Sequence, residues 1–362
     1  MTRRRKLARE GEVDLSGTYI ANIVQMTARL RLLGVLATIA LVVVVLVAVR
    51  SDTRSPGEPA QVRLARATVG SPVDVGTNPV AVAVGAGAVW VVDAADSTLT
   101  KIDPKTQSVV GEPRRVAGGP FAVAVGAGGV WVAAGDGTIR AYDPRDGRPS
   151  GATATVPGAN GLAVGGGGVW VSSRRAGTVT RLDPLTRVAD PPIRVGRGPA
   201  DIAIGLGAVW VANADGGSVT RIDPRSGRAG PPIAVGARQV LAVTVGEGAV
   251  WVARAGGADA DRTELVRIDP HRAAVTGGPV RVPGAVPLDI VAGGGVWATD
   301  SGGALGARPG AVTRVDPATG KPAGPPLRIG RRPSAIALGE GGVWVTDEDA
   351  GTLTPIAVSE PG

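Results

Sequence analysis

Seven carboxylates crowd the C-terminal third of this chain. Asp259, Asp261 and Glu264 lie in ARAGGADADRTEL, Asp300 in DSGGALGARPGA, and Asp347, Glu348 and Asp349 follow the last tryptophan. Oxygen ligands in that number suit Ca²⁺, which takes about six to eight, or with more water Mg²⁺. The spacing argues against a dedicated metal site. D-x-D-x-x-E is not the pattern of a calcium loop, and Arg254, Arg262, Arg308 and Arg332 stand close enough in sequence to neutralise the set. The expectation is therefore a solvated, mixed-charge binding rim made of Arg254, Asp259, Asp261, Glu264, Asp300, Asp347, Glu348 and Asp349. No cofactor is expected, and Ca²⁺ or Mg²⁺ is the alternative that the carboxylates keep open.

Other chemistry is easier to exclude. With no Cys, thiol nucleophiles, disulfides and zinc ribbons are ruled out, and the single histidine, His271, removes every mechanism that needs two. No G-x-x-x-x-G-K-[ST] loop occurs, and the repeated V-G-x-G-x-V-W segments place Trp where a dinucleotide fingerprint needs its third Gly. No catalytic residue is assigned. The net charge of +8 does not indicate a nucleic-acid binder. The first 74 residues carry 11 Lys and Arg against 6 Asp and Glu, the remainder 28 against 25, and 1 Phe with 2 Tyr gives no stacking platform.

The elements that position the carboxylates are repeats. All seven Trp stand in [AG]-V-W-[VA]: Trp90, Trp131, Trp170, Trp210, Trp251, Trp297 and Trp344, at spacings of 41, 39, 40, 41, 46 and 47. A period near 40 in a Gly-rich, β-prone chain marks propeller blades. Each copy reads as four strands: an apolar first strand (PVAVAVG, PADIAIG), a Gly-turn hairpin into the Trp strand, a period-2 third strand of the form G-[TS]-[VI]-T-R-[IL]-D-P, and a fourth such as PPIRVG. Proline in that fourth strand fits an outer edge, where no ladder donor is needed. The seven equivalent Trp are read as structural packing between blades. Arg and Asp of Arg-x-Asp-Pro, two apart on one strand face, are read as structural pairs and turn caps.

Blade seven ends at its third strand, whereas SPVDVGTNP precedes blade one and has the form of a fourth strand. The fold expected is all-β, a seven-bladed propeller of four-stranded blades over 71–362, closed by an N-terminal strand at 71–76. Distances from each Asp-Pro aspartate to the next Trp are 27 or 28 throughout, whereas those from Trp to the following Asp-Pro aspartate rise from 12 or 13 to 18 and 19 in blades five and six. The variation is confined to the loops between second and third strands, which places the functional surface on that face.

Upstream, residues 32–49 (LLGVLATIALVVVVLVAV) are uncharged and as a helix would span about 27 Å, enough to cross a hydrocarbon core. Residues 1–31 form a basic segment in which Ile20, Ile23, Val24 and Ala28 share the face of an amphipathic helix. The excess of Arg and Lys there keeps it cytoplasmic and sends the propeller outside. Residues 50–70 read as an extracytoplasmic tether. With no A-x-A site after the run, an uncleaved transmembrane helix is favoured over a cleaved signal, although MTARLRLLG from Met26 would make a conventional signal start.

The units G-x-G-x-V-W-V-A-N, G-S-V-T-R-I-D-P and G-P-P-I-x-V-G over residues 71–359 resemble the YVTN/NHL-like bacterial propellers. That group includes streptogramin B lyase and the sensor propellers of some receptor kinases. The lyase resemblance implies an elimination that relies on two histidines and Mg²⁺-binding glutamates, a set this chain lacks; the kinase resemblance implies a kinase signature, absent from the cytoplasmic 31 residues. The expectation is a membrane-anchored, extracytoplasmic binding, sensing or scaffold module for a protein or small-molecule ligand, and no nucleic acid. The alternative is a carboxylate-dependent lyase or hydrolase.

Overall fold

The computed structural model describes residues 66–237, 239–255, 263–282, 289–302 and 308–358. The expected segments 1–31 and 32–49 and most of 50–70 lie outside the described residues. Among the described residues, no helix is long and apolar enough to cross a membrane.

Seven antiparallel sheets follow one another along the chain. In blade four, Pro199–Gly205 pairs with Ala208–Asn213, which carries Trp210; that strand pairs with Ser218–Ile222, which pairs in turn with the short outer strand Ile233–Ala234. The first strands pack side by side in sequence order, and Pro333–Gly339 of blade seven packs against Pro79–Gly85 of blade one, so the ring is closed.

Two residue types make these seams. The glycine that ends each first strand leaves room for an aliphatic side chain or small residue of the next blade. A Cβ on Gly126 would come within 2.8 Å of Val164, on Gly205 within 2.6 Å of Val245, and on Gly339 within 2.7 Å of Val84, across the closing seam. The tryptophans are buried between neighbours: Trp210 packs with Val243 and Val245, and Trp344 with Val82, Val84 and Val89. A buried indole needs a partner for its N–H, and Trp131, Trp170, Trp210, Trp297 and Trp344 donate to the carbonyl of the same first-strand glycine at 3.0–3.2 Å.

In blades three and four the Arg and Asp of the Arg-x-Asp-Pro motif serve different partners. Trp170 lies opposite Arg181 in the ladder and Trp210 opposite Arg221, and each guanidinium covers the indole across from it, both at 5.8 Å. The aspartates cap the turn: Asp183 accepts the N–H of Leu185 and Thr186, which holds its carboxyl below the usual range.

The closing strand begins earlier than the tether boundary at residue 70 allows. Ala67–Val69 pairs with Val358, Ala357 and Ile356, and Val73–Asp74 with Leu353 and Thr352. Ala67-Thr68-Val69 is a short β-prone edge with no hydrophobic alternation to announce it, and the Gly70-Ser71-Pro72 break divides it from the rest. Ala67 is level with Val358, at the end of the blade that carries the hairpins, so the chain enters the ring from that side.

Candidate binding rim

In blades one, two, four, five and seven a backbone bond ties the loop between second and third strands to the connection entering the same blade: Ala94 N–H donates to Asn78 O, Gly135 to Gly119, Ala214 to Gly198, Ala255 to Gln239 and Glu348 to Arg332, at 2.8–3.1 Å. These segments form one face, and all described members of the expected binding set lie on it. Asp259 and Asp261 fall outside the described residues.

The described carboxylates there are already engaged. Arg254 lies directly opposite Glu264 in blade five, with Nη2 to Oε2 at 2.7 Å and both side chains largely buried. Arg254 also donates to the carbonyl of Val235, on the connection into the blade. Asp300 meets Arg308 at 3.4 Å and accepts the N–H of Gly302. In blade seven, Asp347 accepts the N–H groups of Arg331, Arg332, Asp349 and Ala350, and so fixes the connection to the loop. Arg332 bridges Glu348 at 2.9 Å and Asp349 at 3.3 Å. Burial raises the Glu348 carboxyl above its usual range, partly offset by Arg332. Among the described residues no three His, Asp or Glu side chains converge as metal ligands do. The rim is a lattice of arginine–carboxylate pairs and capped turns, suited to presenting a shaped polar surface.

His271 stands on the opposite face. It is exposed in an Asp-Pro turn, its backbone N–H donating to Asp269 Oδ1 at 2.8 Å.

Sequence reasoning missed three buried carboxylates. Asp201 and Asp289 occupy the third position of first strands, where Ala81, Ala122, Ala242 and Ala335 stand in other blades. Asp201 accepts Ile202 N–H and reaches across the seam to Val243 N–H at 2.7 Å; Asp289 does the same with Ile290 and, at 2.8 Å, Ile336. Burial pushes Asp201 up to about 7, and burial together with the Asp201 charge raises Asp289 well above the carboxylate range. The third is Asp93, three residues after Trp90, also raised to about 7 chiefly by burial. For Asp201 and Asp289 the available signal was a carboxylate replacing alanine in an otherwise repeated strand, whereas Asp93 shares its position with Asp300 and Asp347 of blades six and seven.

Fold and rim together define a seven-bladed β-propeller whose conserved geometry lies in the blades and whose variable length lies in one face. No protein-family model matches the sequence, and no curated protein matches it. Solved structures do resemble it: virginiamycin B lyase from Staphylococcus aureus, with 16% identity and a TM-score of 0.68 over 81% of this chain and 100% of that one; a streptogramin B lyase, with 15%, 0.67, and 81% and 98% coverage; and Kuenenia stuttgartiensis hydrazine synthase, with 14%, 0.67, and 79% and 97% coverage. A catalytically inactive histidine-to-alanine variant of the S. aureus lyase with quinupristin is similar to the same degree. At such identities the likeness shows the fold, in agreement with the YVTN/NHL-like group.

Proposed function

We propose that this chain is a membrane-anchored, extracytoplasmic propeller that binds a protein or small-molecule ligand through the rim of blades five to seven, as a sensing or scaffold module. One observation carries the reading: the rim carboxylates are consumed as arginine pairs and turn caps, while the loops that vary in length, in blades five and six, rise from that same face. A paired, capped rim supports shape and hydrogen bonding to a partner. The chain enters the ring at the hairpin side of blade seven. The lyase-type alternative gains nothing from His271, which is alone and on the wrong face.

The test shortens Gly256–Thr263 and Gly302–Arg308 to the length of the other blades in the full chain. Cross-linking in native membranes should then lose the partners captured by the wild type, with the melting temperature held, since loop length changes closure entropy by under about 1 kcal/mol. Capture of the same partners by the shortened chain overturns the rim. A reporter fused after Gly362 should be active only outside the cytoplasm; activity inside overturns the anchor.

A further inference from the structure

The position three residues after each tryptophan lies beneath the connection that enters the blade. In blade four it is Asn213, whose Nδ2 donates to Ser218 Oγ at 3.2 Å and Thr220 Oγ1 at 2.9 Å; Thr220 Oγ1 in turn accepts Gly196 N–H from the connection. In blade one it is Asp93, with the same arrangement of hydroxyls. Asp93 Oδ2 lies 3.3 Å from Thr98 Oγ1 and 3.0 Å from Thr100 Oγ1, and Thr100 Oγ1 lies 3.2 Å from the carbonyl of Val75. Here the connection is the closing segment itself. Val75 N–H and Gly76 N–H donate to Gly351 O of blade seven, so Val75 is gripped from blade seven on one side and blade one on the other.

A hydrogen count fixes the state of this site. Thr100 has one hydroxyl hydrogen and two acceptors, Val75 O and Asp93 Oδ2. With Asp93 as a carboxylate, one contact lacks a hydrogen. With a proton on Oδ2 every contact is made: Thr98 donates to Oδ2, Oδ2 donates to Thr100, and Thr100 donates to Val75 O. Asp93 then donates to Thr100 as the Asn213 amide donates to Thr220 in blade four. The side chain is fully buried and Oδ1 has no partner, lying instead against Gly76, where a Cβ would meet the carboxyl at 2.7 Å. A charged oxygen without a donor is costly in such a place.

We propose that Asp93 is a proton-dependent latch: as a neutral acid it locks the closing segment Val73–Gly76 onto blade one, and its ionisation loosens the closure of the ring. The outer strand beside Thr98 carries Arg114 and Arg115, both exposed, with Arg115 level with Thr98 and Arg114 donating to Asp146 O. The flanking strands Pro79–Gly85 and Pro120–Gly126 carry no titratable group, and Lys101 and Asp103 lie at the hairpin end of Thr98–Asp103, with Lys101 over Trp90. Asp96, in the loop after Asp93, accepts Thr77 N–H and adds negative charge that favours the protonated acid. Asp74 is exposed, and Asp347, Glu348 and Asp349 of the facing blade-seven loop are held by backbone amides and Arg332.

A buried acid whose proton is held more tightly in the latched state stabilises it fully below about pH 4 and loses that contribution as pH rises through about 7. Hydrogen exchange of the full chain, corrected for intrinsic rates, reads opening of segments 67–76 and 352–358 directly. The internal reference is segment 154–158 entering blade three, where Ser173, three residues after Trp170, holds the same place and donates to Pro157 O. Between pH 5 and 7 the opening of the closing segment should rise about fiftyfold more than the reference and level off above pH 8. Asp93→Asn, the blade-four solution, should abolish that excess and keep the low-pH protection; Asp93→Ala should lose protection at every pH. An unchanged excess in Asp93→Asn, or wild-type segments that follow the reference at every pH, overturns the latch; the second comparison needs no variant.

Discussion

Gly246→Ala tests whether glycine ends the first strands because of the seam or because of the turn. Its φ is one that any residue adopts, yet a Cβ there would sit 2.6 Å from the carbonyl oxygen and 3.0 Å from the carbonyl carbon of Ala292, backbone atoms of blade six. A side chain in the way can rotate, but a strand in a ladder cannot, so relief requires blades five and six to part. Overpacking of this kind costs about 1–3 kcal/mol and more when backbone must move; the immovable neighbour puts this site at about 3 kcal/mol. The control is Gly248→Ala two residues on, at φ +69 with nothing within 4 Å, where only left-handed backbone strain of about 1 kcal/mol applies. For a domain of this size about 1 kcal/mol moves the melting temperature by roughly 2–4 °C. Thermal melts followed by tryptophan emission should therefore drop by roughly 6–12 °C for Gly246→Ala and roughly 2–4 °C for Gly248→Ala. Equal shifts would refute the seam argument and assign the glycine to the hairpin.

Two further outcomes follow from the same contacts. Because Arg254 and Glu264 are largely buried, Arg254→Met or Glu264→Leu alone should cost about 3 kcal/mol through the stranded partner, and the double variant less than either; additive losses in a double-mutant cycle would show a solvent-screened pair. Asp201, whose proton is bound more tightly in the folded ring, contributes stability that is complete below about pH 4 and lost as pH rises through about 7, by about 4 kcal/mol at most. Asp201→Asn should start less stable, since its amide faces a backbone N–H, but denaturation midpoints should fall less steeply with pH over that window; an unchanged slope would place the titration elsewhere.

Much of the fold was legible because packing repeats. A Trp every 39–47 residues, a Gly that ends the preceding strand and Pro in the outer strand each have one geometric meaning in a propeller blade. Missing Arg in blade two was legible only as an exception: Ala141 stands opposite Trp131, and the structure covers that indole with Arg187 from blade three, 4.1 Å from the ring centre. The long-range donor could not be read from a local pattern. Asp201 and Asp289 were missed for a related reason: PADIAIG looks like one more apolar strand, and only the seam shows that the carboxylate replaces an alanine methyl in order to hold the next blade's backbone. On the rim, Arg254, Glu264, Asp300 and Asp347–Asp349 stand beside the loops between second and third strands, as their place in the repeat implies. Which carboxylate takes which arginine depends on ladder register, which sequence spacing leaves open.

Symmetry also limits where function can reside in such a ring. A change in a Trp, a seam glycine or an indole-covering Arg is felt by two blades at once, so these positions are held by packing whatever the protein binds. The rim is different, because its described loops are tied to their own blade, in five blades by a backbone bond to the entering connection. Loops there can lengthen by five or six residues, as in blades five and six, with the closed geometry beneath them unchanged. The connection entering blade one is the exception on that face, since it is also the segment that completes blade seven. Any interaction that bears on Val73–Gly76, whether protonation of Asp93 or tension from the chain entering at Ala67, acts on the closure of the whole ring rather than on a single loop.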